Sequence, residues 1–352
     1  MKTMSKSERT KVNIKKHIVI FFTALVLTFI VCNFTEGLSQ IIIRDLYSKL
    51  EGTHGIQTIL DERGVPIVDY GYVSGVYIGK QRNPVTVSQK ALEYYENYEK
   101  GDENQKYLFL NCADWLVNNS IPYDNYLILE YRFPWPIYNM TPPWRSGMAQ
   151  GKAFQVLIRA HNITNDEKYL NTAKKLLNAF FYEVEDGGVT YKTSNDGWWY
   201  EEYADEGGKA SRVLNGMMFA LLGIHEYYEY TKDPDAKYLF DQGVLALKRS
   251  LPHYDMDGYS YYDILGHPSG KYHKIHIWQL ERMYNITHEK IFKEYHDKWN
   301  SYKEPFFIIQ LFQTPLTKME IAIFVSNFIV LFVLLEMVIF AVKRRKSVKK
   351  LE

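Results

Sequence analysis

The hydrophobic pattern divides the chain into two kinds of sequence. Near each end lies an unbroken apolar run, IVIFFTALVLTFIVC over 18–32 and IAIFVSNFIVLFVLLEMVIFAV over 321–342. Between them, apolar residues recur at helical spacing and then give way to short alternating segments. A run of roughly 20 apolar residues crosses a hydrocarbon core of about 30 Å as a helix. The second run is long enough; the first is shorter, and Asn33 and Phe34 extend it toward the interface. Lys2, Lys6, Arg9, Lys11, Lys15 and Lys16 precede the first run, and Lys343, Arg344, Arg345 and Lys346 follow the second. Positive flanks mark the cytoplasmic side. The pattern therefore predicts two passes through a lipid bilayer, both termini cytoplasmic and the middle of the chain outside. A cleaved signal peptide is the rival for the first run, but no small-x-small site follows Cys32. Asn327 and Glu336 interrupt the second run. Glu336, about two turns from Lys343, is expected near the interface, turned toward the basic flank.

The middle of the chain repeats. It reads DENQKYL from Asp102, NDEKYL from Asn165, DPDAKYL from Asp233 and THEKIF from Thr287. Asp, Asn or Thr accepts from the free N–H groups of a first helical turn, and acidic residues there suit the positive end of the dipole. Each string thus opens the second helix of a pair. After Lys168, the residues Tyr169, Ala173, Leu176, Leu177 and Phe180 make one apolar face; Leu239, Val244, Leu247 and Leu251 do the same after Lys237. The first helices of the pairs are expected to begin near Val85, Ser146, Lys209 and Lys274. The connectors are IPYDNYLILEYRF, DGGVTYKTSNDGWWYEEYADEGG and MDGYSYYDILGHPSGKYH, and the last two read as hairpins.

The prediction is an all-α dominated fold, an incomplete (α/α) toroid of about four helix pairs with β-hairpin connectors around one mouth, flanked by two transmembrane helices. The expected ranges are a basic tail at 1–16, a membrane helix at 17–35 and a short lead-in at 36–80 that includes the helical string SQIIIRDLYSKL. The toroid follows at 81–304, then a linker at 305–320, a membrane helix at 321–342 and a basic tail at 343–352.

Composition narrows the picture in three ways. Cys32 and Cys112 are the only cysteines, so no disulfide framework is expected. A net charge of +1 carries no nucleic-acid signature. Aromatic residues make up 16% of the chain, which suits sugar-binding faces and helical cores alike. Sequons stand at Asn118, Asn139, Asn162 and Asn285.

The chemistry-bearing residues crowd the connectors. The second holds Trp198, Trp199, Tyr200, Glu201, Glu202 and Tyr203; the third holds Tyr259, Tyr261, Tyr262, Asp263, His267, Tyr272, His273 and His276. Three readings stay open. His273 and His276 share a helix face and Glu201 and Glu202 offer oxygens, but no four-donor zinc spacing exists, and a hydrogen-bonded core role for His276 is the simpler alternative. Glycoside hydrolysis needs two carboxylates facing each other across a bond. Glu201 and Glu202 are adjacent and point to opposite sides of an extended segment, so Asp263 or Asp196 would have to partner one of them. Proton transfer at carbon needs an acid and a base on opposite faces, roles two tyrosines can fill. It also needs donors or a cation for the enediolate, from His273, His276, Lys271, Lys274 or Arg212. Trp199 and Asn215 could shape a sugar site or serve the core.

Residues 144–302 resemble the C-terminal domain of the D-glucuronyl C5-epimerase family, which converts glucuronate to iduronate within heparosan. The strings that carry the resemblance are SGMAQGKAFQVLIRAH, WYEEYADEGGKASRVLNGMMFALLGIHEYYE, SLPHYDMDGYSYYDI, YHKIHIWQL and IFKEYHDKWNSY, with RNPVTVSQKALEYYENY extending it upstream. The resemblance implies an isomerase that inverts a uronosyl unit in a polysaccharide, with no cofactor and no metal. Its catalytic tyrosines fall on Tyr203, Tyr262 and Tyr272, and an assisting glutamate falls on Glu202. Trp199, Glu201, Arg212, Asn215, Lys271, His273 and His276 are then expected to bind substrate. The expected partners are a uronate-containing glycan, the bilayer and a second copy of the chain as a homodimer. Two departures stand out. The family string YDLRH reads YDILGH here, with Leu265 in the arginine's place, so an anion anchor must come from elsewhere, with Arg212 and Lys271 as candidates. Residues 36–80 are also too few for the β-rich domain of the animal enzymes. A uronate lyase, a toroid glycosidase and a non-catalytic glycan-binding protein remain the alternatives.

Overall fold

The computed structural model describes residues 15–32, 42, 46, 56–193, 195–303 and 318–348. The helix expected over SQIIIRDLYSKL and the linker after residue 304 lie almost wholly outside them. The chain forms two compact units, one of residues 1–55 with 303–352 and one of 56–302.

In the first unit, helix α1 (Lys15–Cys32) and helix α10 (Lys318–Val348) run antiparallel. Phe21 packs on Phe328 at 5.1 Å and Phe29 on Phe324 at 5.0 Å. Both helices are long and apolar enough to cross a membrane. Glu336 does turn to a basic flank, but to that of the other helix: His17 Nδ1 lies 2.6 Å and Lys16 Nζ 3.7 Å from its carboxylate.

The second unit is built from four helix pairs. They are α2 (Pro84–Glu99) with α3 (Asn104–Asn118), α4 (Gly147–Thr164) with α5 (Glu167–Asn178), α6 (Leu214–Thr231) with α7 (Pro234–Ser250), and α8 (Tyr272–Thr287) with α9 (Lys290–Asn300). The expected caps form. Asp166 accepts from Lys168 N and Asp233 from Asp235 N, and Asn83, outside the repeated strings, caps α2 by accepting from both Val85 N and Thr86 N. Asn165, Lys232 and His288 each turn one helix into the next through a left-handed residue, with φ of 55°, 57° and 56°. That shared corner is the structural form of the sequence repeat.

The helices α2, α4, α6 and α8 pack side by side as an inner row, and their partners lie outside. The fold is therefore the incomplete (α/α) toroid, with α2 and α8 as the ends of the row. An outer helix such as α5 buries one face, through Tyr169, Thr172, Ala173, Leu176 and Leu177. The central inner helices α4 and α6 bury nearly all sides, and glycines set their separation. A Cβ on Gly223 would come within 2.0 Å of the Gly151 carbonyl, and one on Gly151 within 2.7 Å of Ala220 Cα.

Short antiparallel sheets cover one end. Strands β1 (Gln57–Leu60), β2 (Pro66–Asp69) and β5 (Lys80–Gln81) form a sheet in the order β1-β2-β5, and β3 (Tyr72–Val73) pairs with β4 (Val76–Tyr77). These strands belong to the same compact unit as the toroid. The first connector also becomes a sheet, β6 (Ser120–Pro122), β7 (Leu127–Tyr131) and β8 (Trp144–Arg145). The hairpins β9 (Thr190–Thr193) with β10 (Gly197–Tyr200) and β11 (Asp255–Met256) with β12 (Tyr259–Ser260) occupy the predicted connectors. One boundary moves. The helix expected from Lys209 starts at Leu214, because Ser211 and Arg212 are held as loop by bonds to Glu201.

Backbone contact between α4 and α6 leaves no room for a methyl group. Gly223→Ala is expected to lower stability by about 1–3 kcal/mol, read as a fall in Tm of about 2–4 °C per kcal/mol. A substitution at exposed Lys237 is the matched control and should leave Tm unchanged.

Candidate active site

The mouth of the toroid is organised around one buried carboxylate. Glu201 is fully buried and accepts four hydrogen bonds. They come from Glu202 N at 2.9 Å, Tyr203 N at 3.3 Å, Ser211 Oγ at 2.9 Å and Arg212 N at 2.9 Å. Its own backbone is pinned on both sides, by Gly147 N to Glu201 O at 2.7 Å and Glu201 N to Val189 O at 2.7 Å. Arg145 and Ala204 exchange backbone bonds at 2.8 and 2.9 Å. The segment 201–204 therefore has no freedom to slide. Arg212 adopts φ +46°, which lets its N–H turn back to Glu201.

Further bonds lace the third connector to this loop. Leu214 N donates to Tyr262 O at 2.9 Å and Ile264 N to Ser211 O at 3.1 Å. Asp263, fully buried, accepts from Leu265 N, His267 N and the Tyr138 hydroxyl, and lies 2.6 Å from His267 Nδ1. Leu265 itself is exposed. Behind these strands, Ser260 Oγ lies 2.9 Å from both His273 Nδ1 and His276 Nδ1. Burial pushes the His276 imidazole down to about 3, so it is neutral.

With the backbones fixed, three tyrosines meet. The Tyr203 and Tyr262 phenols lie close enough to shift each other's ionisation. The Tyr262 and Tyr272 rings lie 4.8 Å apart, and Tyr138 packs against Tyr203 with ring centres 4.7 Å apart and planes tilted by 38°. A cavity of about 350 Å³ opens here, lined by Glu202, Tyr203, Tyr272, Asn215, Trp135 and Trp144 among others. None of its lining residues is Lys, Arg or His. Burial raises all three tyrosines, Tyr203 and Tyr262 to well above the usual phenol range. No cation counters it, so the phenols are neutral in the free protein.

Glu202 points into the cavity, opposite to Glu201. Its carboxyl rests on Gly216 in the first turn of α6, where a Cβ would fall 2.2 Å from Oε2. Burial first, and then the charge of Glu201, push Glu202 up to about 8; a hydrogen bond with Tyr203 opposes them. Burial also raises Glu201, but its four donors pull it back. Four donors favour the charged form of Glu201, while burial and that neighbour favour the protonated form of Glu202. Glu202 Oε2, Asn215 Oδ1 and Trp135 Nε1 are buried without a partner, and all three residues line this one cavity. Unpaired buried polar atoms are costly unless a ligand satisfies them.

The structure thus brings Tyr203, Tyr262, Tyr272, Glu202 and Asn215 together. It places the other expected binders elsewhere. Trp199 is buried against Tyr254, with rings 5.8 Å apart and nearly parallel. Glu201 faces its donors, and His273 and His276 brace the third connector. Lys271 lies over the Tyr272 ring at 5.3 Å, and neither it nor Arg212 lines the cavity. Among the described residues no group of three or more His, Cys, Asp or Glu could hold a metal. Sequence reasoning passed over Tyr138, Tyr131, Asn83, Trp135 and Trp144. For all but Asn83, which caps α2, the only signal was a run of aromatics in the first connector, YRFPWPIYNMTPPWR.

The chain also matches known proteins. Residues 123–301 match the family model described as the D-glucuronyl C5-epimerase C-terminus. An uncharacterized protein of Methanocaldococcus jannaschii is 32% identical over 309 residues, covering 81% of this chain and 98% of that one. The D-glucuronyl C5-epimerase of Caenorhabditis elegans is 32% identical over 248 residues, 63% of this chain and 38% of that protein's length. Among solved structures, an unsaturated glucuronyl hydrolase from Bacillus sp. GL1 is 13% identical with a TM-score of 0.46, over 64% of this chain and 65% of that one. The cellobiose 2-epimerase of Bacillus thermoamylovorans is 18% identical with a TM-score of 0.40, over 71% and 65%. Likenesses at that level speak to no chemistry. The family match over half the chain does decide membership: the chain belongs to the D-glucuronyl C5-epimerase C-terminal family.

Proposed function

We propose that the protein is a uronosyl C5-epimerase that inverts D-glucuronosyl to L-iduronosyl units, or an analogous uronate pair, within a glycan. The observation that carries this reading is the convergence of Tyr203, Tyr262 and Tyr272 beside the buried Glu202 carboxyl at a cavity with unsatisfied polar atoms. A carbon acid next to a carboxylate loses its proton only to a base already in place, and the enediolate needs donors around it. In its ionised form Glu202 accepts the Tyr203 hydroxyl proton as the Tyr203 oxygen takes the C5 hydrogen. Tyr262 then delivers its phenolic proton to the opposite face of C5. Once the product has left, Tyr262 recovers a proton from Tyr203, Tyr203 from Glu202, and Glu202 is again ionised. Tyr272 and the free Trp135 N–H donate to the enediolate oxygens, and Asn215 Oδ1 accepts from a sugar hydroxyl. No cofactor takes part in this sequence.

The two apolar helices would hold the catalytic unit at a membrane. Their antiparallel run and basic outer flanks support cytoplasmic termini and a catalytic unit on the far side. The glycan would then be met outside the cytoplasm.

In heavy water, a glucuronate-containing polymer incubated with the protein should gain deuterium at C5 with its chain length unchanged. Tyr203→Phe and Tyr262→Phe should each lower that exchange by about 10²–10⁴-fold. Exchange accompanied by an unsaturated, ultraviolet-absorbing product would instead mark a lyase, and no exchange on any uronate polymer would defeat the enzyme reading.

Because the ionised form of Glu202 starts the relay, the exchange rate should rise with pH and level off above about 8. Stability runs the other way. Between the usual carboxylate range and about 8 the folded chain binds a proton that the unfolded chain has lost, so stability falls as pH rises through that window. Glu202→Gln should therefore abolish exchange while raising Tm at pH 9. A fall in Tm at that pH would contradict the assignment.

A further inference from the structure

A second cavity of about 470 Å³ lies along the inner helices, lined by Lys152, Gln155, Glu226, Trp278 and Arg282 among others. Phe219 lines both this cavity and the catalytic one. The two are therefore neighbours on the same helices. Met148 and Asn215 face the first and Lys152 and Phe219 the second, one turn or about 5.4 Å further along α4 and α6.

Lys152 is the unusual group here. Burial pushes its amine down to about 8, and Glu226 only partly opposes this. The Glu226 carboxylate is already engaged, by the Arg159 guanidinium and by Gln155 Nε2 at 2.7 Å. Lys152 makes no ion pair or hydrogen bond among the described residues. Its ammonium stands 4.1 Å from the centre of the Phe219 ring. A desolvated cation held against an aromatic face, with no anion of its own, leaves its direct partner to be supplied from outside. Beside it, Trp278 is 44% exposed with Arg282 over its ring at 5.5 Å. It offers a flat apolar face of the kind that a sugar ring covers. The catalytic cavity, by contrast, contains no cation at all.

We infer that this second cavity is a subsite for a carboxylated sugar unit of the glycan next to the one being inverted, with Lys152 on its carboxylate and Trp278 against its ring. The inference rests on the proposed epimerase reading and adds what that reading lacks, a cation that selects a polyuronate over a neutral glycan. It also places the anion anchor on α4, far in sequence from Leu265.

The test uses the full chain with a tetrasaccharide carrying two glucuronates and a disaccharide carrying one. C5 exchange gives KM and kcat, and equilibrium binding in the Tyr203→Phe background gives affinity without turnover. Lys152→Gln should raise KM and Kd for the tetrasaccharide by at least about tenfold, leave its kcat unchanged and leave the disaccharide constants unchanged. Trp278→Ala, at an exposed position, should weaken tetrasaccharide binding in the same selective way, and Lys152→Arg should restore it. Unchanged tetrasaccharide affinity in Lys152→Gln, or an equal loss with both substrates, overturns the subsite. The two readings separate cleanly. Lys152-dependent binding without any exchange sustains the subsite and defeats the epimerase, whereas exchange with Lys152-independent binding does the reverse.

Discussion

A single buried carboxylate, Glu201, fixes the mouth of this protein. A charge out of water is tolerable only when its lone pairs are filled, and losing its partners is worth several kcal/mol. Here the four donors come from both ends of one loop, residues 202–203 and 211–212. Satisfying one carboxylate therefore closes the loop on itself. The start of α6 at Leu214, the docking of Tyr262 through Leu214 N and the outward turn of Glu202 all follow from that closure. Of the two glutamates in WWYEEY, Glu201 builds the frame and Glu202 faces the cavity.

The same closure sets the protonation states. Glu202 is buried beside the charge that Glu201 retains, and it leans on bare backbone at Gly216. Neighbouring carboxyls in unlike surroundings separate in pKa, which is how one site holds an acid and a base together. The tyrosines are affected too. With no cation lining the catalytic cavity, burial first and then the neighbouring Glu202 raise them, and they stay neutral. A phenolate base of the kind a nearby cation would favour is therefore absent from the free protein, and the proton must be drawn off through Glu202. Carrying a buried ionisable group without its full set of partners lowers stability at alkaline pH, a recurrent feature of sites shaped for chemistry.

Much of the fold could be read from the chain because it is local. Caps at Asp166 and Asp233, and three- and four-residue apolar spacing after Lys168, specify helices without reference to distant residues. The four pairs follow from repetition of those signals. The tyrosines and Glu202 were legible only through the resemblance of strings such as WYEEY and YYD to a known family, since nothing in their spacing says that they converge. Tyr138, Trp135 and Asn83 reach the site through tertiary packing of the first connector and the lead-in, and an aromatic-rich loop has no period to read. Trp199, Lys271, His273 and His276 lie outside the catalytic cavity for the converse reason. Their residue types suit a sugar site, but Trp199 falls on the core side of β10, His273 and His276 lie on the buried face of α8 against Ser260, and Lys271 lies over the Tyr272 ring. Lys152 gave no signal at all, because a lysine within a helix reads as solvated until the neighbouring helices are in place.

The claim on which the mechanism turns is that Glu201 carries the charge and Glu202 the proton. Infrared difference spectra between the wild type and Glu202→Gln, recorded across pH with ¹³C-labelled glutamate, test it directly. The account predicts a protonated-carboxyl band at pH 6 that is missing from the variant and disappears from the wild type near pH 8. A wild-type spectrum showing Glu202 already ionised at pH 6 would contradict it.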